Sequence, residues 1–195
     1  MPSAPAPTSP ATAPDRAERP AGRPAFSPDG RLELRPSATG ERLVCRVALR
    51  RGEVVAPLTG REVPAADRHT IQVGRDLHLT DLGPFAYLDH SCRSTVHVDV
   101  AARTVVARVP LRAGSPLTFF YPATEWDMAE PFACRCGAPG CVRRVAGARH
   151  LPAEVLAAYE LAPHVRELLA EREGDGAAPR SEEPRSPKGY RSPNG

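Results

Sequence analysis

One short run constrains this chain more than any other feature: Cys134-Arg135-Cys136-Gly137-Ala138-Pro139-Gly140-Cys141. It places three thiols within eight residues, and the glycines and proline between them favour a tight turn that makes the thiols converge. Structural zinc takes four ligands in tetrahedral geometry and favours thiolate sulfur, so one further ligand must come from elsewhere in the chain. We therefore predict a structural zinc site built on Cys134, Cys136 and Cys141.

The fourth ligand has two candidates among the remaining cysteines. Five cysteines is an odd number, and a chain without a basic-then-apolar secretory signal favours metal binding over disulfides. Cys92 follows a polar run between predicted strands, where a loop thiol can reach a metal easily. Cys45 shares one face of a strand pattern with Leu43 and Val47, which favours an ordinary buried thiol. Cys92 is therefore the better candidate.

Short β-rich runs follow one another from residue 31 onward, each bounded by glycine, proline or charged turns. The runs cover residues 32–34, 43–47, 53–56, 69–73, 96–100, 104–109 and 117–121. Many short strands with no long helix among them predict a mainly β core. After the cysteines the apolar residues change to helical spacing, from Pro152 onward and interrupted at Pro163. We predict two short helices with a break near Ala162.

Composition separates the ends of the chain from its middle. More than half of the 23 prolines fall before residue 36 or after residue 175, in segments with too little apolar surface to offset the entropy of ordering. We predict a disordered arm over residues 1–28 and a disordered tail over residues 174–195, with order ending beyond Glu173. The 195 residues then leave room for one domain of ordinary size.

Charge and hydropathy narrow the possible partners and the compartment. The formal net charge of +3 arises from interspersed arginine and glutamate, so it gives no electrostatic case for nucleic-acid binding. No stretch approaches the ~18 consecutive apolar residues that a membrane span needs. We expect a cytoplasmic, soluble monomer without a membrane anchor.

Three pieces of sequence occur in a specific order: His90-Ser91-Cys92, then Leu117-Thr118-Phe119-Phe120-Tyr121, then the cysteine cluster. In this order they resemble the SET domain followed by its post-SET motif. Residues 51–55 and 106–114 resemble two further stretches of that family, so the resemblance covers roughly residues 30 to 147. It implies a SET-type β-clip fold of short strands, with a SET domain over residues 29–131, a post-SET zinc segment over 132–147 and C-terminal helices over 148–173.

The resemblance also implies an activity and a set of site residues. SET proteins transfer a methyl group from S-adenosylmethionine to a lysine amine, and Tyr121 falls where the family keeps its catalytic tyrosine. Asp89 and His90 occupy the asparagine-histidine pair that contacts the cofactor in the family. Phe132 lies where post-SET residues often cover the adenine. Four thiolates, from Cys92 and the cysteine cluster, leave no open coordination position, so the implied zinc is structural.

The implied function is an S-adenosylmethionine-dependent methyltransferase that acts on a lysine of a protein or peptide. Two alternatives stay open: a catalytically silent SET module that binds a partner peptide, and a methyltransferase redirected to an amine of a small molecule or modified peptide. The chain departs from the family pattern at Asp89, Ser115, Pro116 and Phe120, and fold and chemistry separate readily. Substrate specificity would lie in residues 60–84, whose loops carry no recognisable motif.

Overall fold

The computed structural model describes residues 30–37 and 40–176. The predicted disordered arm, residues 1–28, and almost all of the predicted tail lie outside these residues. The described part consists mainly of short strands, and the predicted fold class is confirmed. The strands are β1 (Leu32–Ser37), β2 (Gly40–Cys45), β3 (Val54–Pro57), β4 (Arg61–Val63), β5 (Ile71–Gly74), β6 (Leu77–Thr80), β7 (Asp89–His90), β8 (Val96–Asp99), β9 (Thr104–Ala107), β10 (Thr118–Phe119), β11 (Phe132–Ala133) and β12 (Arg144–Val145).

The strands form five small sheets instead of one large one. Strands β1 and β2 make an antiparallel hairpin, β3, β9 and β8 make a three-stranded sheet, and β11 pairs with β12. The parallel pair of β7 and β10 matters most for function. Parallel strands need a long connection, which β8 and β9 supply here, and the pairing sets Asp89 beside Thr118 and His90 beside Phe119.

The sequence predicted one strand within residues 60–84, over residues 69–73, and β5 at Ile71–Gly74 corresponds to it, whereas β4 and β6 were not predicted. Strands β4, β6 and β5 form a three-stranded antiparallel sheet in this segment. Each strand has only three or four residues, and β4 faces solvent over most of its length, so no alternation of apolar and polar residues marks it. The sheet forms because β6 lies between two partners and buries Leu79.

Alternation along the longer strands places the core. In β8 the side chains of Val96 and Val98 are buried while their neighbours are half-buried, as a strand with one face on the core requires. Leu43 and Cys45 are fully buried, as predicted, and the Cys45 thiol donates to the Arg112 carbonyl at 3.0 Å. Val47 does not join them: it is exposed, because β2 ends at Cys45 and the alternation ends with it.

Two α-helices follow the cysteine segment, α1 (Ala153–Leu156) and α2 (Pro163–Gly176). The predicted break near Ala162 is present, and the Ala162 amide donates to the Ala123 carbonyl at 2.8 Å, which ties the start of α2 to the β core. Proline suits the first position of α2 because its missing amide hydrogen has no helical partner there. Helix α2 continues to Gly176 instead of ending at Glu173. Among the helices of residues 30–176, none is long and apolar enough to cross a membrane.

Candidate active site and metal centre

A cleft of about 870 Å³ lies on one side of the β7–β10 pair. Four parts of the chain line it: the loop before β5, the turn before β7, the two paired strands with Tyr121, and the segment that leads into the cysteines. Asp89, His90, Tyr121 and Phe132, which the resemblance assigned to the site, all line this cleft. The family resemblance therefore grouped residues that are up to 43 positions apart in the sequence, Asp89 and Phe132.

Tyr121 lies just beyond β10, at the start of a 3₁₀ turn over Tyr121–Ala123. The predicted strand over residues 117–121 is shorter than expected, because β7 offers only two residues to pair and Pro122 follows. The Tyr121 hydroxyl donates to the Leu88 carbonyl at 2.7 Å, and its backbone amide donates to His90 Nδ1 at 3.3 Å. Both bonds fix the tyrosine against the residues that enter β7.

His90 connects the cleft to the cysteines. Because a backbone amide can only donate, His90 Nδ1 must accept, and the ring proton lies on Nε2. Nε2 is 3.4 Å from the Cys92 sulfur. Burial lowers the pKa of His90 to about 4, so the ring is neutral. The ring also lies edge-on to Tyr121 and Phe132, with centroids 5.2 and 5.8 Å away.

Asp89 and Phe132 lie at the same end of the cleft as His90. Arg42 of β2 approaches the Asp89 carboxylate, with Nε 3.5 Å from Oδ2, so an acidic and a basic group stand side by side. The Phe132 side chain is 38% exposed although its ring contacts His90 and Tyr121. A large aromatic ring with one open side is suited to stacking on a flat ligand.

The four predicted zinc ligands form one cluster. The sulfur atoms of Cys92, Cys134, Cys136 and Cys141 all lie within 4.8 Å of one another. The sulfur of Cys92 lies 3.8 Å from the sulfur of Cys134 and 3.9 Å from the sulfur of Cys141. Zinc–sulfur bonds of about 2.3 Å in tetrahedral geometry separate the sulfurs by about 3.8 Å, so the cluster fits zinc closely. Cys45 bonds to a backbone carbonyl elsewhere and is not part of it.

The turn around the cysteines depends on its glycines. Gly137 and Gly140 have φ of 67° and 71°, a region that glycine adopts without strain. Burial alone would raise the pKa of Cys136, but hydrogen bonds from the backbone amides of Ala138 and Cys92 and from neighbouring thiols lower it to about 6. The lowered pKa favours the thiolate form at Cys136, whereas burial raises the pKa values of Cys92 and Cys134.

Tyr159, which lies between the two helices, contacts the backbone of the cysteine cluster. Its hydroxyl donates to the Cys92 carbonyl at 2.8 Å, and its ring stacks on Phe120 with centroids 3.7 Å apart. The guanidinium of Arg108 lies 5.0 Å from the centre of the Tyr159 ring. The C-terminal segment thereby holds one of the four predicted zinc ligands in place.

Glu125 is a cleft residue that the sequence did not indicate. The residue lines the cleft but is only 7% exposed. Oε1 accepts hydrogen bonds from the Gln72 amide at 2.8 Å and from the Thr124 hydroxyl at 3.1 Å. Burial raises the pKa of Glu125 to about 7. The one local signal is a Thr-Glu pair enclosed by Ala123 and Trp126, which is too common a pattern to identify a buried acid.

Comparison with known proteins finds a related methyltransferase and two solved structures that match part of this chain. Methyltransferase flvH of Aspergillus flavus is 38% identical over 141 residues, which cover 70% of this chain and 79% of flvH. The crystal structure of KRYPTONITE in complex with mCHG DNA and SAH matches 58% of this chain and 28% of its own, with a TM-score of 0.50 and 18% identity. A second KRYPTONITE structure, in complex with mCHH DNA, H3(1-15) peptide and SAH, matches 58% of this chain and 29% of its own, with a TM-score of 0.45 and 22% identity.

No family model matches the sequence. The family follows instead from three findings that agree. The relative flvH is a methyltransferase that shares most of its length with this chain, the fold is similar to that of part of KRYPTONITE, and the four cysteines beside the cleft converge as a post-SET zinc site requires. The chain belongs to the SET-domain methyltransferases.

Proposed function

We propose that this chain transfers a methyl group from S-adenosylmethionine to the side-chain amine of a lysine in a protein or peptide. The observation that carries the proposal is the 2.7 Å hydrogen bond from the Tyr121 hydroxyl to the Leu88 carbonyl within the cleft. The bond commits the hydroxyl proton, so toward an amine the tyrosine oxygen acts as a hydrogen-bond acceptor. An amine held by its hydrogens keeps its own lone pair available for attack.

Residues close to Tyr121 in the same cleft fit the cofactor. S-adenosylmethionine supplies a methyl group on a sulfonium, and its amino-acid part carries an ammonium and a carboxylate. Asp89 would accept from that ammonium, and Arg42, 3.5 Å from Asp89, would pair with that carboxylate. Phe132 would stack on the adenine with its open side. KRYPTONITE, which has a similar fold, is in complex with SAH, the cofactor without its methyl group, which supports the same cofactor here.

The zinc would stabilise this end of the cleft without taking part in the reaction. Cys92 follows β7, and Cys134 follows β11, so a metal bound to both would fix Phe132 next to His90. Four thiolates around zinc leave no position for water or substrate. Methyl transfer therefore depends on the side chains of the cleft.

The proposal is tested by following the methyl group to its acceptor. Purified zinc-loaded protein is incubated with S-adenosylmethionine that carries an isotopic label in its methyl group, and with three acceptors: denatured total protein, Nα-acetyl-lysine amide and n-butylamine. Labelled lysine in the protein or in the lysine derivative, identified by mass spectrometry, supports the proposal. Label in n-butylamine alone would overturn it in favour of a small-molecule amine substrate.

A third outcome would favour the silent module. Calorimetry with SAH measures cofactor binding separately from turnover. Binding of SAH together with no label in any of the three acceptors would mean that the chain holds the cofactor without using it, and the lysine methyltransferase proposal would fail.

A further inference from the structure

We propose that Glu125 takes the proton from the substrate ammonium and is thus the general base of methyl transfer. This inference rests on the proposed function, because it assigns a step in the same cleft. An amine at neutral pH is mostly protonated, and an ammonium has no lone pair with which to attack a methyl group. Some group must remove that proton inside the cleft or at its entrance. The Tyr121 hydroxyl already donates to the Leu88 carbonyl, which makes it an acceptor for amine hydrogens and not a base.

The position of Glu125 relative to Tyr121 is the first observation. Both side chains line the same cleft, and the Glu125 amide donates to the Tyr121 carbonyl at 3.0 Å, so the two residues belong to one tight turn. Glu125 Oε1 already accepts two hydrogen bonds, from Gln72 and Thr124. Among residues 30–37 and 40–176 no hydrogen bond reaches Oε2. Oε2 is therefore the oxygen that can accept a proton from a ligand.

The rigidity of the surrounding contacts is the second observation. Gln72 donates its own amide to Glu125, and its side-chain oxygen accepts from the Trp126 amide at 2.8 Å. The Ala148 amide donates to the Glu125 carbonyl at 2.8 Å. From α2, His164 Nε2 bonds to the Thr124 carbonyl at 2.8 Å. Two of these hydrogen bonds fix the carboxyl and the others fix the backbone that carries it, so the carboxyl is ready for proton transfer without rearrangement.

The charges around Glu125 are the third observation. Within the described part of the chain, Glu125 has no ion pair, although an isolated buried carboxylate is costly. The titratable groups that face it are His164 from α2 and Tyr121 from its own turn, and the loop before β5 contributes Arg68 and His69 to the cleft. Burial raises the pKa of Glu125 to about 7, which makes it a stronger base than an ordinary carboxylate. A buried acid without a cation partner in a cleft is typical of a catalytic group.

In the proposed reaction, proton transfer to Glu125 precedes methyl transfer. One N–H bond of the substrate ammonium breaks and an O–H bond forms on Glu125, which leaves a neutral amine and a neutral carboxylic acid. The nitrogen lone pair then forms a bond to the methyl carbon of S-adenosylmethionine while the carbon–sulfur bond breaks, and its electron pair stays on sulfur. The products are a methylated ammonium and SAH. Glu125 returns to the carboxylate when it releases its proton to water at the open side of the cleft.

The test compares Glu125→Gln with a matched control in the same cleft. Glu130→Gln also removes one acidic group from the cleft lining, but Glu130 is exposed and pairs only loosely with Arg68, at 3.8 Å. Glu125→Gln should lower kcat by on the order of a hundredfold to ten-thousandfold, the usual contribution of a general base. Wild-type kcat/KM should rise with pH as the Glu125 carboxyl ionises, which gives the pH profile an acid limb. The Glu125→Gln variant should lack this acid limb. Glu130→Gln should stay within about threefold of wild type and keep the limb.

Zinc content and SAH affinity equal to wild type establish that the Gln variant is folded. A folded Glu125→Gln with turnover near wild type, or with an unchanged acid limb, overturns the assignment while the proposed function stands. Should the Gln variant lack zinc or SAH binding, Glu125→Asp replaces it, since it keeps the carboxyl but draws it back by one methylene. The Asp variant should keep the acid limb with a reduced kcat, and an unreduced kcat would contradict the proposal.

A wild-type protein that methylates no acceptor would end the proposed function, and a second measurement then decides on Glu125. Infrared difference spectra are recorded at pH 8, where the Glu125 carboxyl is ionised, on adding n-butylamine. Gain of a protonated-carboxyl band in wild type, absent from Glu125→Gln, would indicate that this carboxyl takes the proton of the ammonium. No change in that band would overturn the inference.

Discussion

Replacing Glu125 by glutamine should make the folded protein more stable, and by an amount that depends on pH. The pKa of Glu125 rises from 4.5 to about 7 because burial disfavours the carboxylate. Between these values the unfolded chain loses the proton while the folded chain keeps it, so the stability of wild type falls as pH rises. Above pH 7 the folded carboxyl ionises too, and the loss levels off.

The size of the effect follows from the two pKa values. A shift from 4.5 to about 7 corresponds to about 3 kcal/mol by pH 8, of which less than about 1 kcal/mol is present at pH 5. Glutamine keeps an oxygen that can accept from the Gln72 amide and carries no charge at any pH. The difference in unfolding free energy between Glu125→Gln and wild type should therefore grow by about 2 to 3 kcal/mol from pH 5 to pH 8.

Urea denaturation at both pH values measures this difference. His164, whose pKa is lowered by burial, titrates in both proteins, so its contribution cancels in the comparison. A difference that stays constant between pH 5 and pH 8 would mean that Glu125 ionises like an exposed glutamate. The inference that burial in the cleft raises the pKa of the Glu125 carboxyl would then be wrong.

Two further predictions concern the metal and the cofactor. Metal analysis of the purified protein should find one zinc per chain, and zinc-free wild type would contradict the metal centre. The Cys134→Ser variant should lose the zinc. In exchange mass spectrometry this variant should show faster hydrogen exchange from Phe132 to α1, while the β core partly survives. Asp89→Ala should weaken SAH binding by roughly 1.5 to 3 kcal/mol in calorimetry if its carboxylate accepts from the cofactor's ammonium, and an unchanged affinity would remove that role.

The metal centre could be predicted because its signal is local. Three of the four ligands lie in one turn, and tetrahedral zinc requires a fourth, for which only two cysteines remained. Tyr121, Asp89, His90 and Phe132 were brought together by resemblance to a family, since nothing in their spacing alone predicts a parallel pairing of β7 and β10. That pairing depends on a crossover through β8 and β9, which is a property of the whole chain.

What the sequence missed depends on contacts between distant segments. Glu125 is buried because Gln72 and Ala148, 53 and 23 positions away, donate to it. Arg42 reaches Asp89 because β2 passes beside β7 in space. Strands β4 and β6 were missed because they are too short for an apolar pattern to appear. Propensity and periodicity describe single segments, whereas these features arise from packing between them.

The proposal that Tyr121 orients an amine for methyl transfer has a matched control in Tyr159. Both hydroxyls donate to a backbone carbonyl, Tyr121 to Leu88 at 2.7 Å and Tyr159 to Cys92 at 2.8 Å, but only Tyr121 lines the cleft. Replacing either by phenylalanine removes one such bond and costs about 1 kcal/mol of stability. The two variants therefore differ in catalysis and not in the kind of bond that is lost.

The decisive measurement is the rate of methyl transfer to the best acceptor, with SAH affinity determined in parallel. Tyr121→Phe should lower the rate on the order of tenfold to a thousandfold, the loss expected for one positioning hydrogen bond in a site that excludes water. Tyr159→Phe should stay within about threefold of wild type, and both variants should bind SAH nearly as well as wild type does. A folded Tyr121→Phe that turns over at the wild-type rate would contradict the claim.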